Sequence, residues 1–391
     1  MSALGQTIDT MLQSAVSAGD VPGVVAAVTT ADETLYEAGF GERVQGTGVE
    51  MTPDTVGWIA SMTKAVTGAV AMQQVERGAL DLDSPASTWA PELGAVQVLE
   101  RFGDDGEPVL RPPGRPITLR NLLTHTAGFG YDIWNGDLVR YQEVKDIPGI
   151  ISCQNLALTT PLLFDPGERW QYGINIDWAG KLVEAATGKT LGQVMHDDIF
   201  EPLGMTSTAF KMTEDMRSRM AKIHQRGGDD SFEPQMELEI PQDPEFEMGG
   251  GGLYSTAGDY LKFVRMILNK GAANGHQVLN PETVAAMSVN QMDDCRVCVM
   301  KTVMPPLSND AEFFPGLEKT WGLSFMINEA EAPTGRSAGS LAWAGLANSF
   351  YWIDPVKGVG GVYMTQILPF ADKKSLPLFY DFENAVYQSL T

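Results

Sequence analysis

Segments that read as β-strands lie at both ends of this chain, and segments that read as helices lie between them. Near the amino end, two short apolar runs flank a turn-prone stretch and predict a hairpin at residues 24–28 and 34–38. Near the carboxyl end, alternating or apolar runs predict three further strands, at residues 321–325, 349–353 and 359–368. A sheet that takes strands from both ends leaves the middle of the chain as an insertion.

These patterns predict an α+β protein of two parts. The first is an antiparallel sheet flanked by helices, built from residues 1–80 and 300–391. The second is a mostly helical inserted domain over residues 81–299. Two stretches rich in Pro, Gly and acidic residues, 103–116 and 227–252, are predicted to be surface loops, and we expect the second to border a cleft.

The charge of the chain argues against two classes of partner. Its 391 residues include 27 Lys and Arg against 50 Asp and Glu, which gives a formal net charge of −23. A field of that sign repels phosphate groups, and no run rich in Lys or Arg offers a local exception. We therefore expect no nucleic-acid partner and no membrane partner, while the oligomeric state is not predicted.

The cysteines and the amino-terminal residues indicate in which compartment the protein resides and whether it holds a metal or a cofactor. Three cysteines are too few for a disulfide framework and fit a reducing compartment. The first ten residues lack the basic and apolar regions of a signal peptide, so we expect a cytoplasmic protein. Cys295 and Cys298 have C-x-x-C spacing, but no second pair of ligands accompanies them, so we expect no metal and no cofactor.

Residues 58–78 carry the strongest chemical signal. Their apolar residues recur at helical spacing, Ser61 lies at the start, and Lys64 follows one turn later on the same side. Lys64 is also the only charged residue between positions 54 and 76. A partly desolvated ammonium has a lowered pKa, which suits a base that deprotonates a serine. The alternative is that Ser61 only caps the helix and Lys64 extends into solvent.

Two further segments are candidates for the same site. Tyr172 lies just before a predicted helix and can present its hydroxyl to a cleft, although it can equally pack as an ordinary aromatic residue. Trp343-Ala-Gly345 lies on a predicted strand. Gly345 there permits close approach of a ligand or another backbone, and a β-bulge is the alternative.

The order Ser61-x-x-Lys64, Tyr172, Trp343-Ala-Gly345 resembles the serine hydrolases of the penicillin-binding-protein and class C β-lactamase type. Trp-Ala-Gly in place of Lys-Thr-Gly is similar to the family VIII carboxylesterases. Residues 98–106 and 172–184 resemble the lovastatin-type acyltransferases. The resemblance implies a β-lactamase/transpeptidase-like fold, with the Ser61 helix at the junction of the two parts.

The resemblance also implies roles for individual residues. Ser61 attacks an ester carbonyl and becomes acylated, while Lys64 and Tyr172, the latter as phenol or phenolate, share the proton transfers. Backbone N–H groups of Ser61 and Leu346 form an oxyanion hole. The other residues assigned to substrate binding are Trp343, which lines the pocket wall, Gly345, Asn175 and Tyr131.

Two departures from the β-lactamase pattern argue against a function in the hydrolysis of β-lactam antibiotics. Asn175 lies one position later than the Asn of the Tyr-x-Asn motif. Trp343 replaces the lysine that would hold the carboxylate of a β-lactam. At most, weak β-lactam hydrolysis is expected.

A rival motif, Gly335-Arg-Ser337-Ala-Gly339, matches the nucleophile elbow of α/β-hydrolases. That elbow needs a strand before it, a helix after it and a downstream histidine. All four histidines precede Ser337, so we reject this serine as the nucleophile. One of them, His125, is expected to be a structural hydrogen-bonding residue near the cleft.

The sequence therefore predicts a serine carboxylesterase that hydrolyses small carboxylic esters through an acyl-enzyme on Ser61. The first alternative is an acyltransferase that passes the same acyl group to an alcohol. An alternative of another class is a non-catalytic sensor domain that is acylated once. Retention of Tyr172 beside Ser61 and Lys64 speaks against the sensor, which needs no deacylation base.

Overall fold

A computed structural model describes residues 3–390 of the chain, and residues 1, 2 and 391, all assigned to the predicted sheet part, lie outside them. The strands are β1 Gly23–Thr30, β2 Thr34–Gly41, β3 Gly57–Trp58, β4 Val98–Phe102, β5 Pro108–Arg111, β6 Ile223–Arg226, β7 Phe232–Gln235, β8 Tyr254–Ser255, β9 Ala272–Ala273, β10 His276–Gln277, β11 Lys319–Trp321, β12 Met326–Asn328, β13 Leu341–Gly345, β14 Ser349–Asp354, β15 Val359–Met364 and β16 Ile367–Leu368. The helices are α1 Ala3–Ser17, α2 Thr63–Glu76, α3 Leu119–Leu123, α4 Gly136–Lys145, α5 Asn175–Thr187, α6 Leu191–Met195, α7 Glu201–Leu203, α8 Glu214–Ser218, α9 Ala257–Leu268, α10 Pro281–Met287 and α11 Ser375–Ser389.

The main sheet takes its strands from both ends of the chain. Its seven strands follow the order β11-β12-β13-β14-β15-β1-β2, and every neighbouring pair is antiparallel. The pairing of β1 with β15 joins the amino-terminal hairpin to the carboxyl-terminal strands. The predicted α+β architecture with an antiparallel sheet flanked by helices is confirmed.

Helices cover both faces of this sheet. Successive side chains of a strand point to opposite faces. On β14, the Tyr351 ring contacts Tyr260 of α9, whereas the neighbouring Trp352 ring contacts Phe382 of α11. Every residue of β13, β14 and β15 is buried, which is the pattern of strands covered on both sides.

The middle of the chain is mostly helical, with short strands. α2 packs against α5, and α5 packs against α3 and α6. α9 lies within the range predicted as the insert, yet it packs against β1, β14 and β15 of the main sheet. The division of the chain into two domains stays a prediction.

Several predictions of secondary structure differ from the structure. Residues 321–325 were predicted as a strand, but only Trp321 belongs to one, because Ser324 adopts a left-handed backbone conformation (φ 77°) that turns the chain into β12. The stretches 103–116 and 227–252, predicted to be surface loops, contain β5, which pairs with β4, and β7, which pairs with β6. The strand predicted over residues 359–368 is divided into β15 and β16.

The end of β13 lies against the turn that begins the Ser61 segment. Gly345 pairs with Ser349 in regular register, so this strand has no bulge here. A Cβ on Gly345 would lie 2.3 Å from the carbonyl oxygen of Ile59, a distance that real Cβ atoms do not adopt. Glycine is therefore what lets the two backbones meet, and their meeting sets Leu346 beside Ser61.

We predict that Gly345→Ala lowers the free energy of unfolding by about 1–3 kcal/mol, because the new methyl group must displace the Ile59 carbonyl. Urea denaturation followed by circular dichroism measures this change. Gly228→Ala is the matched control, since its Cβ would meet nothing within 4 Å. Equal stability of the two variants would contradict the close-approach argument.

Candidate active site

Ser61 lies in a single 3₁₀ turn, Ala60–Met62, immediately before α2. Ala60 has a φ of 45°, in the left-handed region that non-glycine residues seldom adopt. Such a conformation costs energy and persists only where the surrounding structure enforces it. Here the Gly345 contact and the packing of α2 hold the turn and direct the Ser61 side chain toward the site.

Lys64 is buried on every side. The sequence predicted an amphipathic helix with Lys64 beside an apolar stripe, but residues 63–74 of α2 are all buried. The Lys64 side chain is 0 % exposed, so it does not extend into solvent. A helix that is buried all round belongs to a protein core, and the amine is held inside that core.

Three oxygen atoms surround the Lys64 amine. Its Nζ lies 3.0 Å from Ser61 Oγ, 3.0 Å from the Tyr131 hydroxyl and 2.5 Å from the carbonyl oxygen of Gly250. The rings of Tyr131 and Tyr172 also face it, with centroids 5.1 Å and 4.6 Å from Nζ. The amine therefore touches the nucleophile directly and has a fixed position.

Asp177 is the charged group behind this amine. It lies in the first turn of α5 and is 1 % exposed. Gly250 connects the two residues, because its N–H donates to Asp177 Oδ1 at 2.8 Å while its carbonyl accepts from Lys64. A Cβ on Gly250 would lie 2.5 Å from Asp177 Oδ2 and 2.8 Å from the Tyr131 hydroxyl, so this position requires glycine.

Burial sets the protonation of both groups. Desolvation lowers the pKa of Lys64 to about 7, and the charge of Asp177 opposes this by favouring the ammonium. Desolvation likewise raises the pKa of Asp177 to about 6, and Lys64 opposes that shift. Just above neutral pH the site therefore holds a neutral amine next to Ser61 and a carboxylate behind it.

Tyr172 is the second phenol next to Lys64. Its hydroxyl accepts a hydrogen bond from Trp343 Nε1 at 2.8 Å. Burial raises the pKa of Tyr172, and hydrogen bonds from Ser61 and Trp343 offset this only in part. The side chain of Tyr172 is thus a neutral phenol at ordinary pH. Of the two forms that the resemblance allows, phenol and phenolate, this favours the phenol.

A narrow cavity opens over Ser61. Leu346, which follows β13, lines it together with Tyr131, so the structure brings both predicted residues to the nucleophile. The rest of its wall is mainly apolar and consists of Trp58, Ala60, Ile133, Trp134, Ile150, Ile151, Met248, Gly250 and Gly251. The predicted loop 227–252 therefore borders the cleft, as expected from the sequence.

Three residues predicted to bind substrate do not line this cavity. Gly345 lies against the Ile59 carbonyl instead. Trp343 does not line the cavity, because its indole is buried against Tyr172 and holds the phenol in place. Asn175 is 0 % exposed, and its amide nitrogen lies 3.0 Å from His125 Nδ1 and 3.3 Å from the carbonyl oxygen of Phe129. Both side chains support the site from behind.

The rejected motif has a structural role in the fold. Ser337 is buried, its backbone N–H donates to Asp354 at 2.9 Å, and a strand, β13, follows it. Cys295 and Cys298 are free thiols. Within residues 3–390, no group of three or more His, Cys, Asp or Glu side chains could hold a metal ion.

A family model described as Beta-lactamase matches residues 8–381. The chain belongs to this β-lactamase family. The membership confirms the fold and the resemblance inferred from the motifs. No helix in the described part of the chain is long and apolar enough to cross a membrane.

Individual relatives of the chain are named as acyltransferases and as an esterase. The chain is 33 % identical to monacolin J acid methylbutanoyltransferase of Aspergillus terreus, covering 97 % of this chain and 95 % of the relative. It is 31 % identical to lovastatin esterase of Penicillium rubens, covering 97 % and 98 %. A solved structure of a mutant simvastatin synthase from Aspergillus terreus matches with a TM-score of 0.85 and 31 % identity, over 98 % and 97 %. The chain is thus an enzyme of the serine β-lactamase-like family whose homologues are acyltransferases and esterases.

Sequence reasoning missed Asp177 and Gly250. Asp177 looked like an ordinary acidic residue in the first turn of a helix, and only its position between Ile176 and Trp178 hinted at burial. Gly250 belongs to a run of four glycines, 249–252, inside the stretch that the sequence predicts to be a surface loop. The contact between them joins segments 73 residues apart, which no local pattern encodes.

We predict that Asp177→Asn moves the acidic limb of the pH–rate profile to lower pH. Removing the carboxylate charge takes away the interaction that raises the pKa of Lys64, so the amine stays neutral in more acidic solution. The weaker base should also lower the maximal rate by roughly tenfold, the equivalent of one pKa unit. Ester hydrolysis measured from acidic to alkaline pH checks both effects.

The control for this experiment is Glu184→Gln. Glu184 lies on the same helix and pairs with Lys181 at 2.9 Å, so the variant removes a carboxylate charge without touching the Lys64 site. Its acidic limb should coincide with that of the wild type. If Asp177→Asn loses activity but the acidic limb of its pH–rate profile stays at the wild-type pH, then Asp177 only supports the fold.

Proposed function

We propose that this protein is an acyl-transfer enzyme that cleaves a small carboxylic ester with Ser61 and passes the acyl group to an acceptor oxygen. The observation that carries the proposal is the 3.0 Å contact between Ser61 Oγ and the buried amine of Lys64. Because the pKa of Lys64 is about 7, its amine can accept a proton at physiological pH. The phenol of Tyr172, which is hydrogen-bonded to Ser61, supplies a second proton carrier.

Acylation begins when the neutral Lys64 amine takes the proton of Ser61 as its oxygen attacks the ester carbonyl. The ammonium that forms is stabilised by Asp177, which is already in place and needs no reorganisation. The backbone N–H groups of Ser61 and Leu346 hold the negative oxygen of the tetrahedral intermediate. Tyr172 donates its proton to the departing alcohol oxygen and recovers one from Lys64.

Deacylation repeats these steps with an acceptor in place of the departing alcohol. Tyr172 takes the proton of the acceptor hydroxyl while its own proton passes to Lys64, and the acceptor oxygen attacks the acyl group. Lys64 then returns a proton to Ser61 Oγ, 3.0 Å away, as the ester bond to the serine breaks. The apolar wall formed by Ile133, Trp134 and Ile150 suits a short apolar acyl chain and limits water in the cavity. The predicted substrate stays a small-molecule ester, and the cytoplasm stays the predicted compartment.

An alcohol is the acceptor that we favour. The sequence alone gave priority to water, but several relatives at 30 % identity or more are named as acyltransferases. Water is the second candidate, and the relative named lovastatin esterase supports it. We expect β-lactam hydrolysis to be weak. Trp343 stands where the β-lactamase pattern has a lysine, and its indole donates to the Tyr172 hydroxyl, so it offers no positive charge to the carboxylate of a β-lactam.

The nucleophile is tested with p-nitrophenyl esters from acetate to octanoate. We expect sustained turnover that falls by roughly 10³-fold or more in Ser61→Ala. Ser337→Ala is the control, because it removes the serine of the rival motif and should keep full activity. Mass spectrometry of enzyme quenched during turnover should find the acyl group on the peptide that contains Ser61.

Three outcomes would reject parts of this proposal. Unchanged turnover in Ser61→Ala would reject the nucleophile. Loss of activity in Ser337→Ala, with that variant folded, would restore the rival motif. A single burst without turnover would favour the sensor domain.

The acceptor is tested by adding cyclohexanol at millimolar concentration to p-nitrophenyl butyrate and wild-type enzyme. An acyltransferase should form cyclohexyl butyrate, detected by gas chromatography, although water is in large excess. Ser61→Ala should form none, which controls for uncatalysed exchange. Butyric acid as the sole product over a panel of alcohols would assign the protein as a hydrolase.

A further inference from the structure

Tyr131 contacts the Lys64 amine but carries no proton in the proposed acylation and deacylation. Its hydroxyl lies 3.0 Å from Lys64 Nζ, and its side chain is 5 % exposed. Desolvation raises the pKa of Tyr131 well above its usual value, so the group is a neutral phenol with one O–H to donate and an oxygen that accepts. The direction of that O–H decides what the neighbouring amine can do.

The neutral Lys64 amine has two N–H donors and one lone pair for the three oxygens next to it. The carbonyl oxygen of Gly250 can only accept, so it takes one N–H. The second N–H and the lone pair remain for the hydroxyls of Ser61 and Tyr131, one for each. Lys64 can deprotonate Ser61 only if its lone pair faces that hydroxyl, and the second N–H must then go to the oxygen of Tyr131.

Asp177 selects this arrangement. A Cβ on Gly250 would lie 2.8 Å from the Tyr131 hydroxyl and 2.5 Å from Asp177 Oδ2, so the two oxygens lie on the same side of Gly250. A hydrogen bond from Tyr131 to the Asp177 carboxylate opposes the rise in the pKa of that carboxyl. An ionised acceptor forms a stronger hydrogen bond than a neutral amine, so the Tyr131 O–H points to Asp177. The Tyr131 oxygen is then free to accept from Lys64.

We propose that Tyr131 is a positioning residue whose O–H is directed to Asp177 and whose oxygen accepts an N–H from Lys64. This contact turns the lone pair of the amine toward Ser61. The inference rests on the proposed function, in which Lys64 is the base for Ser61. It gives Asp177 a second task besides its charge, because the carboxylate sets the direction of the hydrogen bonds around the amine.

Asp177→Asn should reverse the direction of these hydrogen bonds. The backbone N–H of Gly250 donates to Asp177 Oδ1 at 2.8 Å, so the amide oxygen of the new side chain stays at that position. Its NH₂ group then takes the position of Oδ2 and donates to the Tyr131 oxygen. The Tyr131 O–H is left to donate to Lys64, where it occupies the lone pair that Ser61 needs. In this variant the Tyr131 hydroxyl hinders acylation instead of assisting it.

The test is a double-mutant cycle of Tyr131→Phe and Asp177→Asn. The rate measured is the release of p-nitrophenol in a single turnover of p-nitrophenyl butyrate at saturating enzyme, so that ester binding does not enter it. We expect Tyr131→Phe to lower this rate by roughly tenfold or more in the wild-type chain, and to leave it unchanged or raise it in Asp177→Asn. Tyr141→Phe is the control, because it removes the hydroxyl of a buried tyrosine of α4 that does not line the cavity over Ser61. It should leave the rate unchanged in both backgrounds.

Other results would overturn the inference. An equal fold-loss in both backgrounds, or a change only in the enzyme concentration that gives half the maximal rate, would mean that Tyr131 is merely a wall of the cavity. An unchanged rate in both backgrounds would mean that its hydroxyl has no part in acylation. If Asp177→Asn does not fold, the maximal rate of Tyr131→Phe against that of Tyr141→Phe decides. Turnover that persists in Ser61→Ala would reject the proposed function as well, whereas turnover that depends on Ser61 leaves only this inference at stake.

Discussion

The Lys64 amine is buried where no water reaches it, and the other features of the site follow from that burial. Burial makes the charged ammonium unfavourable and so lowers the pKa of Lys64 to about 7, which lets the amine act as a base near neutral pH. Gly250 and Asp177 prevent the shift from going further, because they supply a carbonyl and a carboxylate on the side away from Ser61. When the amine takes the proton of Ser61, the same carbonyl and carboxylate stabilise the ammonium that forms.

The fold supplies the rigidity that this arrangement needs. α2 is buried along residues 63–74 and lies against α5, so Lys64 and Asp177 are carried by two helices packed on each other. The sheet brings the end of β13 against the Ile59 carbonyl, where only glycine fits, and Leu346 follows. Trp343 then fixes the Tyr172 hydroxyl from the same strand. Residues far apart in sequence meet because strands from both chain ends share one sheet.

The parts of the fold and of the site that depend on residues close together in the sequence were predictable. The helical spacing of Ser61 and Lys64, the hairpin at the amino end and the strands near the carboxyl end are all encoded by short patterns. The turn at residues 321–325 was not, because Ser324 takes a left-handed conformation that its residue type does not favour. Asp177 was missed because burial of a carboxylate depends on Gly250, 73 residues away. Asn175 was misplaced because motif spacing does not tell which way a side chain points.

The most direct test of the central claim is the pKa of Lys64 itself. NMR titration of protein labelled with ¹³C at the lysine ε-carbon follows each amine, and the signal absent from Lys64→Met identifies the one in question. We expect a midpoint near 7 for Lys64, while exposed lysines titrate near 10.5. A Lys64 midpoint near 10.5 would mean that the amine is charged at neutral pH, and it would contradict its role as the base for Ser61.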